Sequence, residues 1–157
     1  MKFKLVVFSL FLTFTMSILA QNADKIIGYY LTVDEKTGAE KSQVQISKSQ
    51  NGTYIGKIVW LKEPNRNGAP KLDDYNTEKN LRSRPLLGLP LIRDFVYNAG
   101  DNEWKDGSIY NPSNGKIYHC IIKFEGNNKL KVTGYVGAAW MGLNKTATWT
   151  KEAALRK

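Results

Sequence analysis

The sequence predicts an all-β fold, a small eight-stranded antiparallel up-and-down barrel, and three observations carry the prediction. Turn-forming clusters recur at Thr37-Gly38, Asn51-Gly52, Asn67-Gly68, Gly100-Asp101-Asn102, Asn111-Pro112-Ser113-Asn114-Gly115 and Gly126-Asn127-Asn128. The runs between them are short and rich in β-branched and aromatic residues, which suit a pleated, half-buried surface. Helical periodicity is almost absent. Closing such a meander into a barrel removes both sheet edges, and a two-sheet sandwich is the alternative.

The chain opens with Lys2 and Lys4, a mainly apolar run from Leu5 to Ile18 softened by hydroxyl residues, and the small residue Ala20 before Gln21. This reads as a secretory signal peptide over residues 1–20, followed by one barrel domain over residues 21–157. The run is short of the ~20 mostly apolar residues that a bilayer span needs, and no later segment approaches it, so no transmembrane segment is expected. Export to the periplasm or beyond the cell follows as an expectation.

Strands are expected at Ile26 to Val33, Ser42 to Ser47, Thr53 to Leu61, Leu91 to Asn98, Glu103 to Asn111, Lys116 to Phe124, Lys129 to Val136 and Lys145 to Thr150. Successive side chains of a strand point to opposite faces. Tyr54, Gly56, Ile58 and Trp60 then share a face, as do Tyr118, Cys120, Ile122 and Phe124, while Trp104, Asp106, Ser108 and Tyr110 make a mixed face. Aromatic and polar groups mix on several faces, which points to an amphipathic barrel interior or mouth.

Composition removes several chemistries. Cys120 and His119 are the only cysteine and the only histidine, and neighbours on a strand project to opposite faces. That disfavours a Cys-His dyad, a serine triad and a zinc site. Gly-rich phosphate motifs are absent, and no cofactor or metal is expected. With Lys2 and Lys4 set aside, 21 basic residues face 14 acidic ones, a net charge of about +7 that favours anionic partners. The lysines are scattered through turns, so nucleic acid is a poor partner.

The third and fourth strands are joined by an unusually long connection, expected to form a loop or short helix. Its richest part, from Asp73 to Leu89, is where a site is sought. Asn76 is placed to cap a short helix with Glu78 in its first turn, and Pro85 stops that helix. If the chain is extended before Pro85, Arg82 and Arg84 fall on one side and form a clamp for a carboxylate or phosphate. The alternative is internal: Asp73, Asp74 or Glu78 satisfy the arginines, making the segment a salt-bridged lid across one barrel end.

The pattern Asp73-x-x-Asn76-x-x-x-x-Leu81-Arg82-x-Arg84-Pro85-Leu86-x-Gly88-Leu89 is followed by Trp104-x-x-Gly107-x-Ile109-Tyr110-x-Pro112-x-x-Gly115-Lys116-x-Tyr118-x-Cys120. With Gly134-Tyr135-Val136-Gly137 and Thr148-Trp149-Thr150, it resembles the exported bacterial family catalogued as domain of unknown function 2147. The resemblance implies a small lipocalin-like barrel of no established activity. Asn111 stands where that family usually has an acid, and Lys145 and Lys151 stand where it commonly has arginines. Gly28-Tyr29-Tyr30 replaces the Gly-x-Trp opening of lipocalin-like chains, so a base closed by Tyr30 against Lys151 is expected in place of a tryptophan–arginine pair.

The reading that follows is a non-enzymatic envelope binding protein for a small amphipathic or anionic ligand. Asp73, Asn76, Arg82, Arg84, Trp104, Tyr110, Tyr118 and Tyr135 are its candidate ligand-binding residues. A second reading is a basic interaction module that docks on an envelope protein or anionic polymer. A third is a hydrolase or transferase with Asp73 or Asp74 as base.

Overall fold

A computed structural model describes residues 22–137, 142 and 144–157. The leader expected over residues 1–20 lies outside the described residues.

Eight strands close into an antiparallel barrel: β1 (Gly28–Val33), β2 (Glu40–Lys48), β3 (Tyr54–Leu61), β6 (Pro90–Asn98), β7 (Glu103–Asn111), β8 (Lys116–Glu125), β9 (Lys129–Tyr135) and β10 (Asn144–Glu152). Each pairs with its chain neighbours, and β10 returns to β1 through Tyr30↔Lys151, so the sandwich alternative is excluded. Two short strands, β4 (Asn65–Arg66) and β5 (Ala69–Pro70), form a separate ribbon inside the long connection. The sequence reading registered their Asn67-Gly68 turn but not the ribbon. Both turn residues have positive φ, 52° and 79°, the conformation of a two-residue hairpin.

Up-and-down order puts the β2–β3, β6–β7 and β8–β9 turns at one end, here the base, together with the residues that precede β1. The β1–β2, β3–β6, β7–β8 and β9–β10 connections lie at the other end, the mouth.

Two bulges correct the expected faces. In β3 the register with β2 slips beside Gln43/Val44, so Ile58 pairs with Val44 but Trp60 pairs with the outward Gln43. Trp60 is thereby turned out of the face it was expected to share with Tyr54 and Ile58, and Leu61 takes its place inside. In β7 the register shifts between Trp104 and Gly107, with Asp106 at φ 63° absorbing the extra residue. The expected common face of Trp104, Asp106, Ser108 and Tyr110 therefore does not exist. Trp104, Gly107 and Ile109 point inward with Ile122, Cys120 and Tyr118, while Ser108 and Tyr110 pair with the outward His119 and Ile117. A bulge adds one residue and inverts the alternation beyond it, which a strict period of two cannot anticipate.

The core lies toward the base. Tyr30, Val44, Phe95, Trp104, Cys120, Ile122 and Leu130 are all 0 % exposed. Trp104 packs edge-on to Tyr54 and Phe124, and Gly107 is obligatory because a Cβ there would clash with the Phe95 ring and the Arg93 carbonyl. Burying an aromatic side chain of this size is worth roughly 2–3 kcal/mol or more, so this cluster anchors the fold.

The base is closed by the chain that leads into β1. The first strand begins at Gly28 and not at Ile26, because Ile27 N–H bonds to the Asp24 carbonyl in a turn. Ile26 is fully buried beneath this turn, and its carbonyl accepts from the Tyr30 hydroxyl at 2.8 Å. Trp104 Nε1 donates to the Ala23 carbonyl, and the Asp24 carboxylate takes the Tyr54 hydroxyl and Lys48 Nζ. Lys151 Nζ lies 5.7 Å from the Tyr30 ring centroid and donates to the Lys25 carbonyl at 2.7 Å. Tyr30 against Lys151 thus closes the base as the sequence led us to expect.

Candidate functional site

The long connection folds back on itself at the mouth. Leu72 bridges to Pro85, Asp73 N–H bonds to the Arg84 carbonyl, and Leu86 N–H to the Lys71 carbonyl. Leu89 is 2 % exposed and its carbonyl continues the ladder to Ile58, which fixes the segment to β3 before β6 begins.

Asp73 is the centre of a buried polar knot. Its carboxylate is fully buried and receives the Arg84 Nε and Nη2 at 2.9 and 2.8 Å, the Asn76 amide at 2.7 Å and the Tyr110 hydroxyl at 2.5 Å. Asn76 also donates to the Tyr110 hydroxyl at 3.0 Å, and the Arg84 guanidinium lies 5.6 Å from the Tyr110 ring centroid. Burial, the neighbouring Asp73 carboxylate and its hydrogen bond all push the Tyr110 hydroxyl above its ordinary pKa. Four candidate residues, Asp73, Asn76, Arg84 and Tyr110, therefore come together, and they satisfy one another.

The arginine pair is not arranged as the extended-chain reading requires. A 3-10 turn covers Lys79–Leu81 and Arg82 continues it in αR geometry, so the two guanidiniums take separate partners. Arg84 is committed to Asp73, and Arg82 donates its Nε to the Asn76 carbonyl at 2.7 Å. Nor does Asn76 cap this helix: its Oδ1 accepts from Glu78 N–H one turn earlier, and Glu78 is the N-cap without a side-chain bond. Asp74 pairs with Arg66 of the ribbon at 2.9 Å.

The knot is seated on the β7–β8 turn. A Cβ at Gly115, whose φ is +71°, would collide with the Tyr75 carbonyl, so the connection rests directly on that backbone. Tyr118 lies just inside, facing the barrel interior, and its hydroxyl accepts from the Asn114 amide at 2.8 Å.

The remaining candidates are dispersed. Trp104 is sealed in the core at the base, and Tyr135 lies on the outer surface, stacked on His119 with centroids 5.7 Å apart. Cys120 is buried on the inner face, where its apolar surroundings push the thiol up to about 12. Among the described residues no three His, Cys, Asp or Glu side chains converge as a metal site would require.

One inward-facing set was missed by the sequence reading, apart from Tyr118. At the mouth, Thr32, Leu61, Ile109, Tyr118, Gly134 and Ala147 point inward by register yet are only half-buried. The Thr32 and Ser42 hydroxyls meet there at 2.7 Å. Thr32, Leu61 and Ala147 belong to no motif, and only the bulges bring Leu61 and Ile109 inside.

A family described as an uncharacterized protein conserved in bacteria (DUF2147) matches residues 28–151. The chain belongs to this family. The DUF2147 barrel is also similar to a solved structure, protein HP1028 from the human pathogen Helicobacter pylori, which belongs to the lipocalin family. The similarity has a TM-score of 0.68 at 24% sequence identity, over 82% of this chain and 83% of that one. It establishes a lipocalin-like fold for this DUF2147 member. A search of curated proteins found no match.

The C-terminal residues form a second structure that the sequence reading overlooked. Arg156 bonds Glu152 through Nε and Nη2 and Glu40 through Nη1, and its guanidinium lies 5.0 Å from the outward Trp60 ring. The fully buried Gln43 beneath donates to Glu152 and the Ala154 carbonyl and accepts from Arg156 N–H. This clasp straps the outer face of β1, β2 and β3, opposite in role to the mouth. Among the described residues no helix is long and apolar enough to cross a membrane.

Proposed function

We propose that the protein is a non-enzymatic binding protein that takes a small amphipathic ligand into the mouth of its barrel, with any anionic group of the ligand at the rim. The carrying observation is the gradient along the same strands. Most inward positions near the base are sealed, with Tyr97 and Phe124 partly buried at its edge, whereas inward positions at the mouth other than Ser42 remain half-buried, and the lining there mixes apolar groups with the Thr32, Ser42 and Tyr118 hydroxyls. Such a lining suits a ligand with an apolar body and few polar atoms.

Arg82 supports the anionic group. With Nε on the Asn76 carbonyl, its terminal nitrogens make no hydrogen bond among the described residues, and it is tethered beside the β7–β8 turn. Lys116 opens β8 on the inward side of the same turn and has no ion pair among the described residues. Lys145, in contrast, is held by Glu35 at 2.8 Å. Arg84 and Asp73 serve this reading as the pin that holds the wall, not as the clamp. A binding role in the cell envelope accords with the expected leader.

Titration with dodecanoate and with dodecanol, followed by tryptophan fluorescence, tests the proposal. Ala147→Trp should fill the mouth and abolish binding of both. Arg82→Ala should weaken dodecanoate alone, by about tenfold for a charge-assisted bond. Binding that survives Ala147→Trp unchanged rules out the mouth.

A further inference from the structure

The outer surface carries a second concavity, on the opposite side of the barrel wall from the mouth lining and unused by the reading above. It is a groove of about 240 Å³ on the outer face of β7, β8 and β9, ending at Asn144 of β10. Along β9 it runs from Lys131 to Tyr135, about 13 Å of strand. Its lining is mostly apolar: Ile121 provides the floor, and Tyr135 closes the end toward the mouth. His119 is stacked on Tyr135 at an interplanar angle of 27°, which steadies the ring and leaves the rest of it to the groove.

The charges along the groove are already matched. Lys123 Nζ lies 2.9 Å from Glu103, which is only 6 % exposed, and Lys131 Nζ lies 3.3 Å from Glu125. An anionic polymer would have to compete with both acids. The remaining polar groups of the groove are neutral: the Asn144 amide, which makes no side-chain hydrogen bond among the described residues, and the Thr133 hydroxyl, shared with Thr146 at 2.9 Å. An aromatic ring beside amide and hydroxyl groups, in a slot whose lysines are each paired with an acid, matches a molecule with apolar C–H faces and hydroxyl edges. A purely apolar peptide would strand the amide and hydroxyl, and a charged one would have to break an ion pair.

From this we infer that the groove is a carbohydrate site that takes a neutral disaccharide unit, one sugar ring against Tyr135 and the next along Ile121 toward Lys131. The site is independent of the mouth, so either can fail alone.

The test is titration of isotope-labelled protein with chitobiose, cellobiose and maltose, followed through backbone amide shifts, with digalacturonic acid as the charged control. At least one neutral sugar should shift Ile121, Thr133, Tyr135 and Asn144 with a Kd of about 1 mM, unchanged by added salt. Tyr135→Ala should weaken binding about tenfold and Tyr135→Phe should preserve it. Asn144→Ala should weaken it as well, which keeps the test valid if Tyr135→Ala does not fold. The inference is overturned if no neutral sugar produces shifts, if only digalacturonic acid binds and salt removes it, if the shifts fall on Ile109, Tyr118 and Ala147, or if well-folded Tyr135→Ala and Asn144→Ala bind like the parent.

Discussion

The two ends of this barrel are closed by different means. At the base, the residues leading into β1 lay Ile26 beneath the barrel and tie it with bonds from Tyr30, Trp104, Tyr54 and Lys151. At the mouth, a long connection is pinned to β7 through Asp73, Arg84, Asn76 and Tyr110 and tied to β3 at Leu89, and the inward residues beside it stay half-buried. Apolar burial holds the base, and a polar knot holds the mouth. The same eight strands are therefore sealed at one end and half-buried at the other, the contrast on which the proposed binding role rests.

The largest effect expected from this contrast is at the base. Trp104→Ala should cost about 4 kcal/mol in urea unfolding, since it removes a fully buried aromatic and leaves a cavity. Tyr118→Ala, at the mouth, should cost about 1 kcal/mol because its site is already half-open to water. Equal losses from the two would break the comparison.

Next in size is the pin. Arg84→Ala leaves the Asp73 carboxylate buried without its cation and should cost about 2 kcal/mol. The figure is set below that of a fully buried pair because the Arg84 side chain is 28% exposed. Hydrogen exchange should then accelerate at the Asp73 and Leu86 amides, which bond within the folded-back segment, while the Ala23 to Tyr30 region keeps its protection.

Alkaline pH acts at both ends, since Tyr110 in the mouth knot is raised as well, but three raised groups lie inside the barrel toward the base. Burial raises the Tyr30 and Cys120 groups, and burial with hydrogen bonding to Asp24 raises Tyr54. All three favour the protonated form in the fold, so the stability they contribute is complete below the unfolded pKa values, about 8.5 for a thiol and about 10 for a phenol. It declines as pH rises through those values and toward the folded ones. Thermal melts should show Tm falling from about pH 9 upward, and Cys120→Ala should remove the earliest part of the decline.

The smallest effect belongs to the outer clasp. Arg156→Ala should lose less stability in urea unfolding than Arg84→Ala, because its ion pairs are partly solvated although its stacking on Trp60 and the cover over Gln43 go with it. A loss as large as that of Arg84→Ala would mean that the strap, and not the mouth pin, is the principal polar fastening.

Turn residues, alternation and chain length were enough to specify the eight barrel strands and most of their ends to within one residue. The Tyr30–Lys151 contact at the base was legible too, from a departure in Gly28-Tyr29-Tyr30. Local rules suffice there because hairpins pair neighbours in sequence. The faces of Trp60 and Tyr110 were not legible, because each follows a bulge that exists only when two strands meet in a particular register. Arg84 was legible in part: the sequence offered both a clamp with Arg82 and an internal pair with Asp73, and the fold selected the second, across eleven residues. Which charges are free and which are spent depends on distances between elements, and only the closed barrel set those. The sequence by itself determined the strands and their order, since turns and alternation act over a few residues. The mouth lining, the knot and the outer groove were decided by tertiary contacts that no local pattern encodes.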